Sequence, residues 1–472
     1  MKKLSGKTVV IVGLGESGVA AAELAHKRGA EVVASDSAPH DKLSPEARAL
    51  AEQGVRIEAG AHPVNLLRRA DMVVVSPGVP PLPILDEALA AGVEVVGELE
   101  FASRFVEAPI VAIGGTNGKS TTTALVHAML VEAGKRAFVG ANFGVPLSSA
   151  AGKSFDVLVL EVSSFQMERA PTFHPRIAAL LNVTDDHLDR YPSFDAYAAA
   201  KGNMFVNQSV EDVAVIPKGD SLASREARRG EGRRVTFGPG ADIGTDESGG
   251  AIVDRLRDHR YPLAEIRLTG AHNLLNVAAA IACASEAGAP RDAILRALAK
   301  FEGLAHRTAF VGEWSGVRYY DDSKGTNVGA AVAALKGLSE SRVVLIAGGR
   351  DKRGAYGPLA EELKQKGRGL VLIGEAADRI AGETKGTVPE ARAQSMAEAV
   401  ALAASMAEPG DAVLLSPACS SFDMFRDYKD RGDVFVREVR ALAKDAPAAG
   451  TPDKAPPAPK KSRPAPAKRG RA

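Results

Sequence analysis

The sequence predicts an α/β protein of three domains, each built on a largely parallel sheet. Three observations carry that expectation. Short Val/Ile/Leu runs alternate along the chain with amphipathic stretches, the pattern of strands covered by helices on both faces. Many of these runs end in glycine-rich or acidic turns that lead into helices. And 472 residues exceed what one ordinary hydrophobic core organises.

Taken in order, "KTVVIVGLG", "AEVVASD" and "ADMVVVSPG" are strands of a first domain, residues 1–97. "APIVAIGG", "FDVLVLEVSS" and "RIAALLNVT" belong to a second, residues 98–305, whose Gly/Arg/Asp-rich stretch 218–262 reads as short strands and loops. "GVRYYDDSK", "RVVLIAGG", "GLVLIGE" and "DAVLLSPA" form a third, residues 306–445. Residues 446–472 hold seven prolines and seven Lys/Arg against one acid, with no large apolar side chain. Such a tail cannot bury enough surface to fold and is expected to be disordered, solvated or engaging a partner through its basic charge.

The composition, 45% hydrophobic and 25% charged, is that of a globular chain. Because the basic excess sits in the tail, the rest has no surplus pointing to nucleic acid. Two cysteines, Cys283 and Cys419, make no disulfide framework, which fits a reducing cytoplasm. No apolar stretch approaches the ~18 residues of a membrane span. The Met-Lys-Lys start leads into a run broken by Gly13, Gly15 and Glu16, unlike a signal peptide. A cytoplasmic monomer acting on small molecules is expected.

The first chemical motif is Gly13-Leu14-Gly15-Glu16-Ser17-Gly18, a G-x-G-x-x-G between a strand and a helix. Asp36 ends the second strand, followed by Ser37, and "SPGVP" places Ser76 and Gly78 at the exit of the third. The glycines admit a diphosphate to a helix N-terminus, and Asp36 is positioned to accept a hydroxyl. A nicotinamide dinucleotide and a UDP-sugar both offer those groups. A tight turn without a ligand is the third reading.

The second motif is Gly115-Thr116-Asn117-Gly118-Lys119-Ser120-Thr121, again between strand and helix. The usual phosphate loop is Gly-x-x-x-x-Gly-Lys-Ser/Thr, and its first glycine would fall on Ile113. The loop is therefore one residue tight. Its chemistry is intact: Lys119 for the β/γ-phosphates, and the Ser120 or Thr121 hydroxyl for Mg²⁺. Such a site needs an acid at a neighbouring strand end. Glu161 ends "FDVLVLE", and Asp186, His187 and Asp189 crowd the exit of the next strand, though acids there also serve as helix caps. Further on, Tyr197 and Lys201 share a helix face at i,i+4, where a lysine is ordinarily solvated.

These segments together resemble the Mur ligase family over about residues 5–440: "GTNGKST", "EVSSFQ", "DDHLDRY", "YAAAK", "GAHNLLN", "LAHR" and "DDSKGTN" stand in order. "LSPACSSFDMF", with "GLGESG" and "SPGVP", resembles the branch that adds D-glutamate; the Asp-Asn-Pro-Arg of diaminopimelate-adding relatives is not found. The resemblance implies Rossmann-like N- and C-terminal domains around a central P-loop ATPase-type sheet. It implies ATP-dependent joining of D-glutamate to UDP-N-acetylmuramoyl-L-alanine through an acyl phosphate, in peptidoglycan precursor synthesis.

The same resemblance assigns roles. Gly13 to Gly18, Asp36, Ser37, Ser76 and Gly78 would hold the UDP-sugar. The phosphate loop from Gly115 to Thr121, with Asn273, Asn276, Arg307 and Asp322, would hold ATP. Asn142 would position the substrate carboxylate, and Lys324 would face ATP and the intermediates. Thr326, Lys352, Ser421 and the segment around Phe422 and Tyr428 would hold D-glutamate. Two Mg²⁺ are implied, one with Ser120, Thr121 and Glu161, the other near His187 and Lys201 carrying a carbamate from CO2 or bicarbonate. At the position of Tyr428 the family often has Phe, and Arg350 adds a cation beside Lys352. A folylpolyglutamate synthase or another amino-acid-adding Mur ligase is the nearest alternative. An NAD-dependent oxidoreductase is the distant one, and it leaves "GTNGKST" and "DDSKGTN" without a purpose.

Overall fold

The computed structural model describes residues 3–186, 190–246, 249–268, 270–352 and 354–445. His187, Asp189 and the basic tail, all singled out by the sequence, lie outside them. Three sheets organise the described residues, and the predicted α/β class holds. The first has five parallel strands, with Thr8–Val12 at the centre, flanked by Glu31–Asp36 and Met72–Val75. Arg56–Ala59 and Glu94–Gly97 form its edges. Strand order reverses between Thr8–Val12 and Met72–Val75, so a crevice opens beyond their carboxyl ends, where Gly13 and Ser76 sit.

The second sheet has nine strands. Third from one edge, Ile110–Gly114 lies parallel between Ile177–Leu180 and Val157–Glu161, with Ile113 opposite Glu161 and Gly114 opposite Leu180. That register brings the phosphate loop, Glu161 and the "NVTDD" exit to one edge. The stretch 218–262 contains a helix, Ser221–Ala227, capped by the Asp220 side chain, and then strands that turn antiparallel from Ile243–Thr245 through His259–Pro262. Helix Lys119–Glu132 is covered by Ala271–Glu286 and Arg291–Lys300. Its buried Leu125, Val126, Met129 and Leu130 explain the packing.

The third sheet has six strands, parallel except for the edge pair Ala309–Trp314 and Val317–Asp321. Val317–Asp321, Ala412–Leu415 and Val343–Gly348 are neighbours, with Asp321 and Ile346 both opposite Leu415. The "DDSK", "SPAC" and "GGRDK" turns therefore leave the sheet side by side. Strands such as Arg56–Ala59 and Ala137–Ala141 escape the sequence pattern because they are half-buried edges, short and poor in branched residues.

Candidate active site

The first crevice, about 460 Å³, is lined by Gly13, Gly15, Glu16, Ser17, Asp36, Ser37, Ser76 and Gly78 among others. Its walls are tied together: the Ser76 hydroxyl donates to the Gly13 carbonyl at 2.7 Å. Gly13 has φ +88°, and a Cβ on Gly18 would lie 1.8 Å from the Gly13 oxygen, so both glycines are required by the turn. The Leu14 N–H donates to Asp36 at 2.6 Å and the Ala38 N–H at 2.8 Å, so the loops themselves hold this carboxylate in place. His62, which belongs to none of the motifs, completes the lining beside Ser35, 2.7 Å from its hydroxyl. Burial lowers its pKa, against the pull of Asp36.

The tight phosphate loop folds because Gly115 and Gly118 both take positive φ, and because a Cβ on Gly118 would press on the Asn276 amide at 2.2 Å. The Asn182 side chain braces the loop from the adjacent strand exit, accepting from Asn117 N at 2.9 Å and donating to Asn117 O at 3.0 Å. Thr116 bonds Tyr197 and Thr184. Lys119 donates to the Gly115 and Thr116 carbonyls. Lys201, only 3% exposed on helix Phe194–Gly202, donates to the same Gly115 carbonyl at 2.8 Å and lies over the Tyr197 ring. The solvated-lysine reading of that residue fails. Burial first, then repulsion from Lys119, pushes the Lys201 ammonium well below its ordinary range.

Glu161 is the hub. It accepts from the Ser120 hydroxyl and from the Asn142 amide, each at 2.6 Å. Burial pulls its carboxyl upward, but Lys119, Lys324, the Ser120 bond and Arg307 outweigh burial and hold it below the usual range.

The third domain closes over this edge. Arg307 donates to Ser120 at 2.9 Å. It is aimed by backbone in the left-handed region on both sides, His306 at φ +60° and Thr308 at φ +48°, a conformation costing ~1–3 kcal/mol per residue. The His306 ring bonds Asp321, and the Thr308 N–H bonds Asp322, which fixes both residues. Burial pushes the Asp322 carboxyl up to about 7, although Ser416 and Arg307 oppose the shift. Burial and then Arg307 bring Lys324 down to about 8; its ammonium donates to the Tyr428 hydroxyl and lies over that ring. Lys352 reaches Asp186 at 3.3 Å and Thr326 at 3.4 Å. Ser421 is buried, whereas the Phe422 side chain is 65% exposed. Asn273 and Asn276 bond each other and border a cavity of about 70 Å³ shared with Asn117, Gly118, Thr121 and Asp322. A cavity of about 720 Å³ continues from Asn273 and Arg307 toward Phe310 and Tyr320.

The structure thus gathers the loop residues, Asn142, Glu161, Lys201, Arg307, Asp322 and Lys324 at one junction. The Gly13–Gly18 crevice is a separate compartment of the first domain. Asn182, Asn327 and Ser416 are additional parts; the last two stand inside the "DDSKGTN" and "LSPACSSFDMF" segments, but nothing local singles them out from their neighbours.

The donor set suits Mg²⁺, which usually takes one or two carboxylates with substrate phosphate oxygens and water. Glu161 and the Ser120 hydroxyl supply such ligands, with Thr121 beside them. Among the described residues no cluster of three His, Cys, Asp or Glu forms a metal cage. The Lys201 nitrogen donates to the Gly115 carbonyl and, as a nitrogen, is a poor match for a hard cation that takes oxygen ligands.

Residues 7–97 match the family model described as "Mur ligase MurD-like, N-terminal domain", residues 113–284 "Mur ligase middle domain", and residues 306–419 "Mur ligase, glutamate ligase domain". The chain is 46% identical to the UDP-N-acetylmuramoylalanine--D-glutamate ligase of Syntrophotalea carbinolica over 94% of its length and 99% of that protein's. It is 44% identical to the protein of the same name from Trichlorobacter lovleyi, covering 93% and 100%. Among solved structures it is similar to the MurF ligase of Thermotoga maritima in complex with ADP, with TM-score 0.59, 18% identity, and 94% and 100% of the two chains covered. That last likeness shows a shared fold.

Proposed function

The chain belongs to the Mur ligase family, and from that premise we propose how its residues carry out D-glutamate addition. The enzyme is an ATP-dependent ligase that adds D-glutamate to UDP-N-acetylmuramoyl-L-alanine in peptidoglycan precursor synthesis. One observation carries the residue-level reading: Glu161 binds Ser120 of the phosphate loop through one oxygen and Asn142 through the other. A nucleotide-side group and a substrate-side group thus meet on a single carboxylate.

A carboxylate is a poor acylating agent because its oxide leaves badly. Transfer of the γ-phosphoryl of ATP to that oxygen releases ADP and creates a good leaving group. The D-glutamate nitrogen then attacks the acyl carbon, the C–O bond to phosphate breaks, and the amine proton leaves with the forming phosphate or to solvent. The first step brings two anions together, so cations must screen them. Lys119, Lys324 and Arg307 all act on Glu161, which supports that screening role, and in this reading the Asn142 amide orients the acceptor carboxylate. When bound, Mg²⁺ adds charge neutralisation between the phosphates, with Ser120, Thr121 and Glu161 to hold it. His187 and a carbamylated Lys201 are the proposed ligands of a second ion.

The first-domain crevice takes the UDP head, and the 720 Å³ cavity by Asn273 takes the adenosine end. Lys352, Thr326, Ser421 and the Phe422–Tyr428 segment take D-glutamate. In this reading the exposed Phe422 ring contributes through its backbone, and Tyr428 aligns Lys324. The three domains divide the labour at 1–97, 98–305 and 306–445. A monomer suffices, since every assigned group comes from one chain. No helix of the described residues is long and apolar enough to cross a membrane.

The test is phosphate release with ATP and UDP-N-acetylmuramoyl-L-alanine, offering D-glutamate, L-glutamate, L-alanine and diaminopimelate in turn. Release that requires D-glutamate supports the reading. Release without an acceptor, or preference for another amine, overturns it.

A further inference from the structure

One side chain bridges the second and third domains without belonging to any of the binding sets above. Asn327 follows the "DDSKGT" turn and is 8% exposed. Its Oδ1 accepts from Ala330 N at 2.8 Å and so caps helix Val328–Gly337. Its Nδ2 donates to Asn117 Oδ1 of the phosphate loop at 3.1 Å and to Asp186 Oδ2 at 3.1 Å. Asp186 in turn uses its other oxygen for Lys352. One amide therefore joins the start of a third-domain helix to the nucleotide loop and to the carboxylate that holds a proposed D-glutamate lysine.

Each bond has a separate consequence. The cap fixes the amide plane, because Oδ1 must face the helix N-terminus. With Oδ1 committed, Nδ2 points across the domain boundary. Asn117 is itself clamped through its backbone by Asn182, so the amide of Asn327 meets a side chain carried on a fixed loop. The bridge forms only when the third domain is seated.

We propose that Asn327 is a positioning residue that registers domain closure, setting Asn117 for the nucleotide and Asp186 for Lys352 in the same movement. This rests on the ligase reading above and goes beyond it by assigning closure to a defined bond set. Asn327→Asp is the informative variant. It keeps the capping oxygen, removes both donations and sets a carboxylate against Asp186. Asn327→Ser keeps a capping hydroxyl and is too short to bridge. Losing two hydrogen bonds on the closed form predicts about a 30-fold fall in kcat for either variant, equivalent to ~2 kcal/mol at 1.4 kcal/mol per tenfold. The KM for UDP-N-acetylmuramoyl-L-alanine, whose head lies in the first domain, should stay within about twofold. Melting temperature should hold, since the cap is retained. Small-angle scattering with a non-hydrolysable ATP analogue and that substrate should find the full-length Asn327→Asp chain more extended than wild type.

Wild-type turnover with D-glutamate is the control for the ligase reading, and its absence would sink that reading. If wild type ligates while both variants keep its kcat, the closure role alone is wrong. A fall in kcat matched by a fall in melting temperature, with unchanged scattering, likewise overturns it in favour of a plain helix cap.

Discussion

Replacing Lys201 by methionine separates what this residue does for the fold from what it does for the reaction. Lys201 is 3% exposed and its ammonium donates to the Gly115 carbonyl at 2.8 Å. A charge-assisted bond contributes ~1.5–3 kcal/mol, while withdrawing an ammonium from water costs several kcal/mol. Methionine removes both terms and fills nearly the same volume. The Gly115 carbonyl keeps a partner, because Lys119 also donates to it at 3.0 Å. Stability should therefore change by no more than ~1–2 kcal/mol, a shift of a few degrees in melting temperature. Turnover should fall ~10²-fold to 10³-fold or more, the usual effect of deleting a group that stabilises transferring charge. The carbamate adds two arms. Carbamate forms from the neutral amine, and burial with Lys119 beside it shifts Lys201 toward that form, so wild-type turnover should drop in CO2-depleted buffer. Lys201→Ala, which opens space, should regain activity with acetate. Phosphate release and calorimetry on the same preparations read all of this. Wild-type turnover in Lys201→Met would refute the assignment, as would a melting loss large enough to explain the defect. Insensitivity to CO2 together with no acetate rescue would refute the carbamate.

With Lys324 at about 8, the charge facing the transferred group is lost as pH rises through that value, so turnover should show an alkaline limb near pH 8. Lys324→Arg should be slower and move that limb upward; an unmoved limb would exonerate Lys324. Asp322 has a folded value of about 7 against an ordinary 3.8, so the folded chain binds more protons between those values. Its contribution to stability is fully present below about pH 4 and is lost as pH rises through 7. Asp322→Asn should therefore melt higher than wild type at pH 8 while turning over more slowly, a trade checked by paired melting curves and rates. Gly18→Ala would set a methyl 1.8 Å from the Gly13 oxygen. The variant should lose ~1–3 kcal/mol of stability through overpacking and bind UDP more weakly in calorimetric titration; unchanged UDP affinity would remove the crevice from the substrate path.

The parts legible in the sequence are those whose physics is local. A glycine turn at a strand exit, a Lys-Ser pair opening a helix and an acid ending an apolar strand each announce themselves within ten residues. The tight loop from Gly115 to Thr121 was readable for that reason. Burial of Lys201 was not, because the i,i+4 pair with Tyr197 does not reveal which face of the helix meets the Gly115 carbonyl. Asn327 and Asp186 are 141 positions apart, and only the seating of one domain on another makes them partners. The aim of Arg307 likewise depends on left-handed backbone at His306 and Thr308, residue types that give no warning of it.

The bond from Ser76 to Gly13 joins residues 63 positions apart, so it closes only when both turns of the first domain are in their final places. The nucleotide head should consequently bind the folded first domain and no partly folded form. A ligand of that kind raises the unfolding free energy by RT ln(1 + [L]/Kd), ~2.7 kcal/mol at a hundred times Kd. The UDP portion of the substrate would then act as a folding clamp on one domain, and a cell rich in precursor would hold this chain more securely against proteases than one starved of it.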